Sequence, residues 1–161
     1  MSKITTNFDD LNINENVLRG VYSYGFEKPS SIQSRSIPKI IEGKDIIAQA
    51  QSGTGKTGAF VIGSLCNIDF SLNETQVLIL LPTHELVNQV YGVISEISKY
   101  IDIYIIKLIG GTSIGQSIDE LKKKPKVVVG TPGRVLDMIH RKYLYTNHLK
   151  MLIFDEADEI L

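Results

Sequence analysis

The sequence predicts an α/β fold, an open parallel sheet with helices on both faces. Three observations carry this. Five short runs, 45–49, 76–81, 103–109, 126–129 and 151–154, alternate with longer stretches whose apolar residues recur at helical spacing. The runs are mostly apolar rather than alternating, as in strands buried on both faces. Each run is followed at once by a polar or glycine-bearing cluster: 50–57, 82–85, 110–111, 131–134 and 155–158. Right-handed crossovers put every strand's carboxyl end on one edge, where open α/β sheets bind ligands.

The elements follow in order. Asn14 caps a helix over Glu15–Tyr24, with apolar residues at 17, 18, 21 and 22 and Gly25 as its stop. A second helix starts at Pro29-Ser30-Ser31 and runs to about Ile37. Pro38 is expected to break it, with a short helical turn on to Gly43. The strand at 45–49 leads through a glycine turn into an apolar helix ending at Cys66. Residues 67–75 are polar and read as a loop. A strand over 76–81 stops at Pro82, and a helix from Glu85 to about Lys99 buries residues 86, 87, 90, 94 and 97. The strand at 103–109 ends at Gly110-Gly111, and a weaker helix covers 113–123. After the strand at 126–129, Thr131 can cap a helix that has Pro132 at its first position and runs to about Arg141. The last strand, 151–154, delivers Asp155-Glu156-Ala157-Asp158.

Composition bounds the function. With 161 residues, one domain is expected; 43% apolar and 22% charged residues suit a soluble globular protein. A net charge of −1 argues against a broadly basic nucleic-acid surface, so any such site must be local. Cys66 alone can form neither an intramolecular disulfide nor a Cys-rich metal site, and a buried thiol is expected. His84, His140 and His148 lack metal-ligand spacing. No apolar run reaches membrane-spanning length, and Met-Ser-Lys-Ile-Thr-Thr lacks a signal core. A monomeric cytoplasmic protein without membrane contact is expected, with the nucleus as the alternative.

Residues 45–57 form the chemical centre. A strand, the turn Ser52-Gly53-Thr54-Gly55 and the helix opening at Lys56-Thr57 make a phosphate cradle. Backbone N–H groups and the helix dipole aim at one spot, and glycines let the backbone approach anionic oxygens. Lys56 would reach the β/γ-phosphates and the Thr57 hydroxyl would bind Mg²⁺. The general P-loop pattern begins with Gly, whereas this one begins with Ala50. The competing reading is a plain Gly/Ser turn before an ordinary helix. Asp155, ending an apolar strand downstream, has the placement of an Mg²⁺-organising acid. Glu156 could polarise the water that attacks the γ-phosphate. Here the competing reading is a solvated acidic helix start.

Taken in order, Gln-Ala-Gln-Ser-Gly-Thr-Gly-Lys-Thr, Pro-Thr-His-Glu-Leu, Gly110-Gly111, Thr-Pro-Gly-Arg and Asp-Glu-Ala-Asp resemble the motifs of the N-terminal half of a DEAD-box RNA helicase. Tyr24-Gly25-Phe26-Glu27-Lys28-Pro29-Ser30-Ser31-Ile32-Gln33 resembles that family's adenine-recognition element, and Phe8 lies at its upstream aromatic position. The resemblance spans the whole chain. Its wording is similar to the translation-initiation branch of the family and nearly as similar to the exon-junction branch.

The resemblance implies a RecA-like N-terminal domain over 1–161, with an adenine-recognition lead-in at 8–33, truncated after the strand that carries Asp155. It implies ATP and Mg²⁺ as cofactors and RNA-stimulated ATP hydrolysis coupled to unwinding. Gln33 would pair with the adenine edge, since an amide offers both a donor and an acceptor. Phe26 and Phe8 would pack on the base, although each also reads as core. Ser52, Gly53, Thr54, Gly55, Lys56 and Thr57 would hold the phosphates, with Thr57 and Asp155 on the metal and Glu156, Lys56 and Asp155 catalytic. Pro82, Thr83, His84, Gly110, Gly111, Thr131 and Arg134 would follow one single-stranded RNA along its backbone, without sequence preference.

Two departures limit the transfer. The family carries Arg where this chain has His84, and Ala where it has Val87. His is mostly neutral near pH 7, so weaker RNA binding is expected. The family's Ser-Ala-Thr motif and second RecA-like domain are also not in the sequence. That domain supplies arginines to the γ-phosphate, and an arginine finger is worth ~10³–10⁵ in kcat. The chain is therefore expected to be a fragment of marginal stability with exposed sheet edges. It should bind ATP, hydrolyse it poorly and unwind nothing, its partners being RNA, the second domain and a translation-initiation or exon-junction scaffold. Two rivals stay open: a non-catalytic module that binds RNA or a partner protein, and a small-molecule P-loop nucleotidase. The latter leaves Gln33 and Thr131–Arg134 unexplained.

Overall fold

The computed structural model describes residues 7–43 and 55–155. The expected strand at 45–49, the turn residues Ala50, Ser52, Gly53 and Thr54, and the acids Glu156 and Asp158 lie outside the described residues. The chain divides into two units, one of residues 1–67 with 93–102, the other of 68–92 with 103–161.

The first unit opens on a single 3-10 turn, Phe8–Asp10, capped by the Asn7 side chain, which accepts from Asp9 N–H. Helix α1, Glu15–Tyr24, starts at Asn14 and stops at Gly25, whose φ of 110° allows the left-handed cap. Helix α2 runs over Ser31–Ile41 and keeps Pro38 inside it, which corrects the expected break. A mid-helix proline costs ~3 kcal/mol. Ile37 and Ile40, on either side of it, are buried, and Asn67 Nδ2 donates to the Ile40 carbonyl at 2.6 Å. Tertiary burial outweighs the local preference. Helix α3, Lys56–Cys66, is buried continuously from Gly58 to Leu65, as a helix apolar all round must be. Cys66 is half-buried rather than fully buried, and desolvation pushes its thiol above the usual range.

The second unit holds four parallel strands: β1 (Val77–Leu80), β2 (Ile105–Leu108), β3 (Val127–Gly130) and β4 (Met151–Phe154). Their order is β2-β3-β1-β4, with Val77 level with Val127 and Met151, and Ile105 level with Val127. β3 is buried throughout and β1 nearly so, while β2 and β4 alternate. Among the described residues β4 pairs only with β1, and Leu152 and Phe154 are half exposed. Helix α4 (His84–Ile97) follows β1, α5 (Ile114–Lys122) follows β2, and α6 (Pro132–His140) follows β3. Leu78, Ile106, Leu108, Val128, Val135 and Met138 form the core between sheet and helices. Buried Gln76 is satisfied by the 67–75 loop: its amide accepts from Asp69 N–H and donates to Asp69 and Leu72 carbonyls.

Four of the five polar clusters therefore begin at the carboxyl ends of neighbouring parallel strands. The ladder runs one residue past β1, β3 and β4: Leu81 N–H bonds Gly130 O, Thr131 N–H bonds Leu108 O, and Asp155 N–H bonds Leu80 O.

Candidate nucleotide and RNA sites

In the first unit the chemistry centres on Gln33. Ser30 and Gln33 make a reciprocal capping box, the reason α2 starts where it does. Gln33 Oε1 accepts from Ser30 N–H at 2.9 Å, and Nε2 donates to the Gly55 carbonyl at 3.1 Å. The side chain is 2% exposed. An amide has two N–H groups and two lone pairs, so one of each remains after these bonds. Gly55, with φ of 87°, is the N-cap of α3 and supplies no side-chain cap. A Cβ at Gly55 would lie 2.6 Å from Gln33 Nε2, and one at Gly58 would lie 2.8 Å from Nε2 and 3.1 Å from Phe26 Cζ. The Gln33 amide thus lies among Ser30, Gly55, Gly58 and the Phe26 ring.

Phe26 is half-buried, whereas Phe8 is fully buried. The two rings lie 6.1 Å apart, and Phe8 also meets Tyr22 edge-on at 6.1 Å. Phe8 therefore backs the aromatic cluster from inside the core. Tyr22 Oη donates to the Asn7 amide oxygen and the Asp9 carboxylate; burial, then the Asp9 charge, raises its phenol above the ordinary value. Ser30 and Gly58 were not singled out as site residues from sequence. The Ser-x-x-Gln spacing and a glycine inside the first turns of a helix were the available signals.

Helix α3 begins without a side-chain cap, so its opening N–H groups suit an anion. Lys56 and Thr57 are half-buried in its first turn. Asp155, in the second unit, is buried at the end of β4. The Thr57 hydroxyl and the Asp155 carboxylate are hard oxygen donors of the kind Mg²⁺ takes. Among the described residues no cluster of three or more His, Cys, Asp or Glu side chains could hold a metal by itself.

In the second unit the predicted RNA residues gather on the carboxyl edge. Thr83 Oγ1 accepts from Leu86 N–H at 3.2 Å and caps α4, whose first residue is the exposed His84. Gly111 turns with φ of 85°, and a Cβ there would lie 3.9 Å from His84 Cε1. Thr131 is the backbone N-cap of α6, with Pro132 at the first helical position, and its hydroxyl makes no capping bond. Arg134 is 9% exposed. Its Nη1 donates to Thr112 Oγ1 at 3.0 Å and Ser117 Oγ at 2.8 Å, and Nη2 donates to the Thr112 carbonyl at 2.7 Å. The observed partners of this guanidinium are protein groups: it ties the loop after β2 to the start of α6. Thr112 and Ser117 were missed from sequence.

The chain is similar to known proteins in sequence and in fold. A family model described as DEAD/DEAH box helicase matches residues 30–161. The chain is 52% identical over 158 residues to an ATP-dependent RNA helicase FAL1 of Coccidioides immitis, covering 98% of this chain and 40% of that protein. It is 51% identical over 158 residues to an ATP-dependent RNA helicase eIF4A of Meyerozyma guilliermondii, with the same coverage of each. The structure superposes on a DEAD box protein from Methanococcus jannaschii with a TM-score of 0.90 and 40% identity, over 97% of this chain and 43% of that one. On S. cerevisiae Dbp5 bound to RNA and ADP BeF3 the TM-score is 0.87 at 34% identity, over 98% and 40% of the two chains. The chain thus spans about two fifths of the length of the relatives it matches. Its motifs, its parallel sheet and the matched family model agree: the chain belongs to the DEAD/DEAH box helicase family.

Proposed function

We propose that this chain is the ATP- and RNA-binding N-terminal part of an ATP-dependent RNA helicase of the initiation factor 4A type, an exon-junction relative being the alternative. The observation that carries the nucleotide half is the bonding of Gln33. Its amide is held rigid by Ser30 N–H and Gly55 O and retains one donor and one acceptor. That pair matches the N6–H and N7 edge of adenine and mismatches guanine, which presents only acceptors there. Phe26 would pack on the base, with Phe8 supporting it. Ser52, Gly53, Thr54 and Gly55 would cradle the phosphates, and Lys56 would neutralise them. Thr57 and Asp155 would hold Mg²⁺, which offsets charge on the phosphate oxygens. Glu156 would accept the proton of the attacking water.

The RNA half rests on the carboxyl edge of the sheet. Pro82, Thr83, His84, Gly110, Gly111 and Thr131 would meet the sugar-phosphate backbone. Arg134 would act there by shaping the 110–112 loop. A second RecA-like domain would supply the arginines that turnover needs, a scaffold protein would hold the two together, and the setting would be the cytoplasm.

Competition binding with a fluorescent adenine nucleotide tests the nucleotide half. Wild-type chain should prefer ATP to GTP by at least tenfold, and Gln33→Ala should erase the preference. A discrimination step built on paired polar groups can reach ~10⁴-fold. Equal affinity for both nucleotides in the wild-type chain would overturn the assignment.

A further inference from the structure

The amino edge of the second unit's sheet carries a pocket that the functions above do not use. It encloses about 330 Å³ and is lined by Lys122, Lys124, Lys142, Tyr143, Tyr145 and Glu74, among others. Its walls are the connections that lead into β1, β3 and β4, at the opposite ends of the strands from residues 82–84, 110–112 and 131–134. In a chain of net charge −1, the run Lys122-Lys123-Lys124-Pro125-Lys126 is a local concentration of cations. Among the described residues no ion pair engages Lys122, Lys124 or Lys142. Tyr143 and Tyr145 are 42% and 59% exposed.

A second observation points to use of this pocket. Lys124 and Lys142 have φ of 57° and 63°. Each follows the C-cap of a helix, α5 or α6, at the position glycine fills without strain. Two helices thus end on a strained lysine where glycine would be easier, and both lysines line the same pocket. Favourable charge at a helix C-terminus accounts for one part of this choice. It does not account for the convergence of both on one cavity beside two exposed tyrosines.

We propose that this pocket is a second single-stranded RNA site, one that holds RNA extending beyond the carboxyl edge. The proposal rests on the RNA reading above. Lysine ammoniums would track phosphates, and the tyrosine faces would stack bases without regard to sequence, the combination that single-strand grooves use. Four-residue strands span about 13 Å, so RNA on both edges must be longer than RNA on one.

The test uses labelled oligouridine of two lengths, roughly 6 and roughly 20 nucleotides, chosen around the usual single-strand site size. In the double variant Lys124→Gly/Lys142→Gly, the short oligonucleotide should bind as before. The long one should lose about 1.4 from its log–log salt slope, at 0.7 per phosphate contact on single strands. The thermal midpoint of the variant should rise, because glycine relieves the strain. Tyr143→Ala/Tyr145→Ala should weaken the long oligonucleotide by roughly tenfold. An unchanged salt slope and unchanged long-oligonucleotide affinity in both variants would overturn the proposal. So would binding of polyglutamate that only the wild-type lysines support while long RNA is unaffected, which would mark an acidic protein partner instead. Failure of the wild-type chain to bind the short oligonucleotide would sink the carboxyl-edge reading, while the slope with long RNA would still judge the pocket.

Discussion

Two buried polar side chains organise the two units, and they do so differently. Gln33 bonds Ser30 N–H and the Gly55 carbonyl, and a neutral amide keeps a donor and an acceptor beyond those bonds. Arg134 bonds Thr112 twice and Ser117 once, through a cation that no carboxylate partners in those bonds. The first can position a loop and recognise a ligand with the same group. The second fixes the conformation of a loop that other atoms present. On the proposed function, one motif residue would touch the ligand and the other would hold the residues that touch it.

Removing each anchor tests that difference, and the largest effect should come from Arg134→Ala. It leaves Thr112 O and the Ser117 hydroxyl without their buried donor. Bonds to charged groups and unsatisfied acceptors together suggest about 3 kcal/mol of lost stability. Urea denaturation would measure it; a loss below about 1 kcal/mol, with RNA affinity strongly reduced, would make Arg134 a direct contact rather than a brace.

Ser30→Ala removes the cap on α2 and should cost about 1 kcal/mol. Because Ser30 and Gln33 hold each other, the preference for ATP over GTP should also shrink. A normal preference in a destabilised variant would uncouple the cap from recognition.

Gly58→Ala sharpens the same point. Alanine favours a helix over glycine by ~1 kcal/mol, yet its Cβ would lie 2.8 Å from Gln33 Nε2. Stability should change by less than about 1 kcal/mol while ATP affinity falls several-fold. Unchanged affinity would show that the amide can move without penalty.

The smallest effect belongs to His84→Arg. One added cation beside Gly111 should tighten single-stranded RNA and raise the salt slope by about 0.7. Identical affinity and slope would place residue 84 off the RNA path.

Much of this was legible locally. Asn14, Gly25, Thr131 and Pro132 mark helix ends through their own local chemistry, and the structure places α1 and α6 within a residue or two of those marks. The alternation of apolar runs and helices was enough for a parallel sheet and for four clusters on one edge. Pro38 misled because its local cost is fixed while the burial of Ile37 and Ile40 depends on packing in the fold. Thr112 and Ser117 were invisible as partners of Arg134, since they lie 22 and 17 residues from it. Only the adjacency of β2 and β3 brings them into reach. The tie from Gln33 to Gly55 also spans 22 residues, and it joins two motifs that sequence treats separately.

The most direct test of the account is RNA-stimulated ATP hydrolysis by this chain, alone and with a matching second RecA-like domain added. The account predicts little turnover alone and a rise on addition of the order of an arginine finger, ~10³-fold or more, abolished by Glu156→Gln. Glu156-dependent turnover at full rate by the chain alone would contradict the need for a second domain. Tight ATP binding with no turnover under either condition would contradict the helicase reading and leave a binding module.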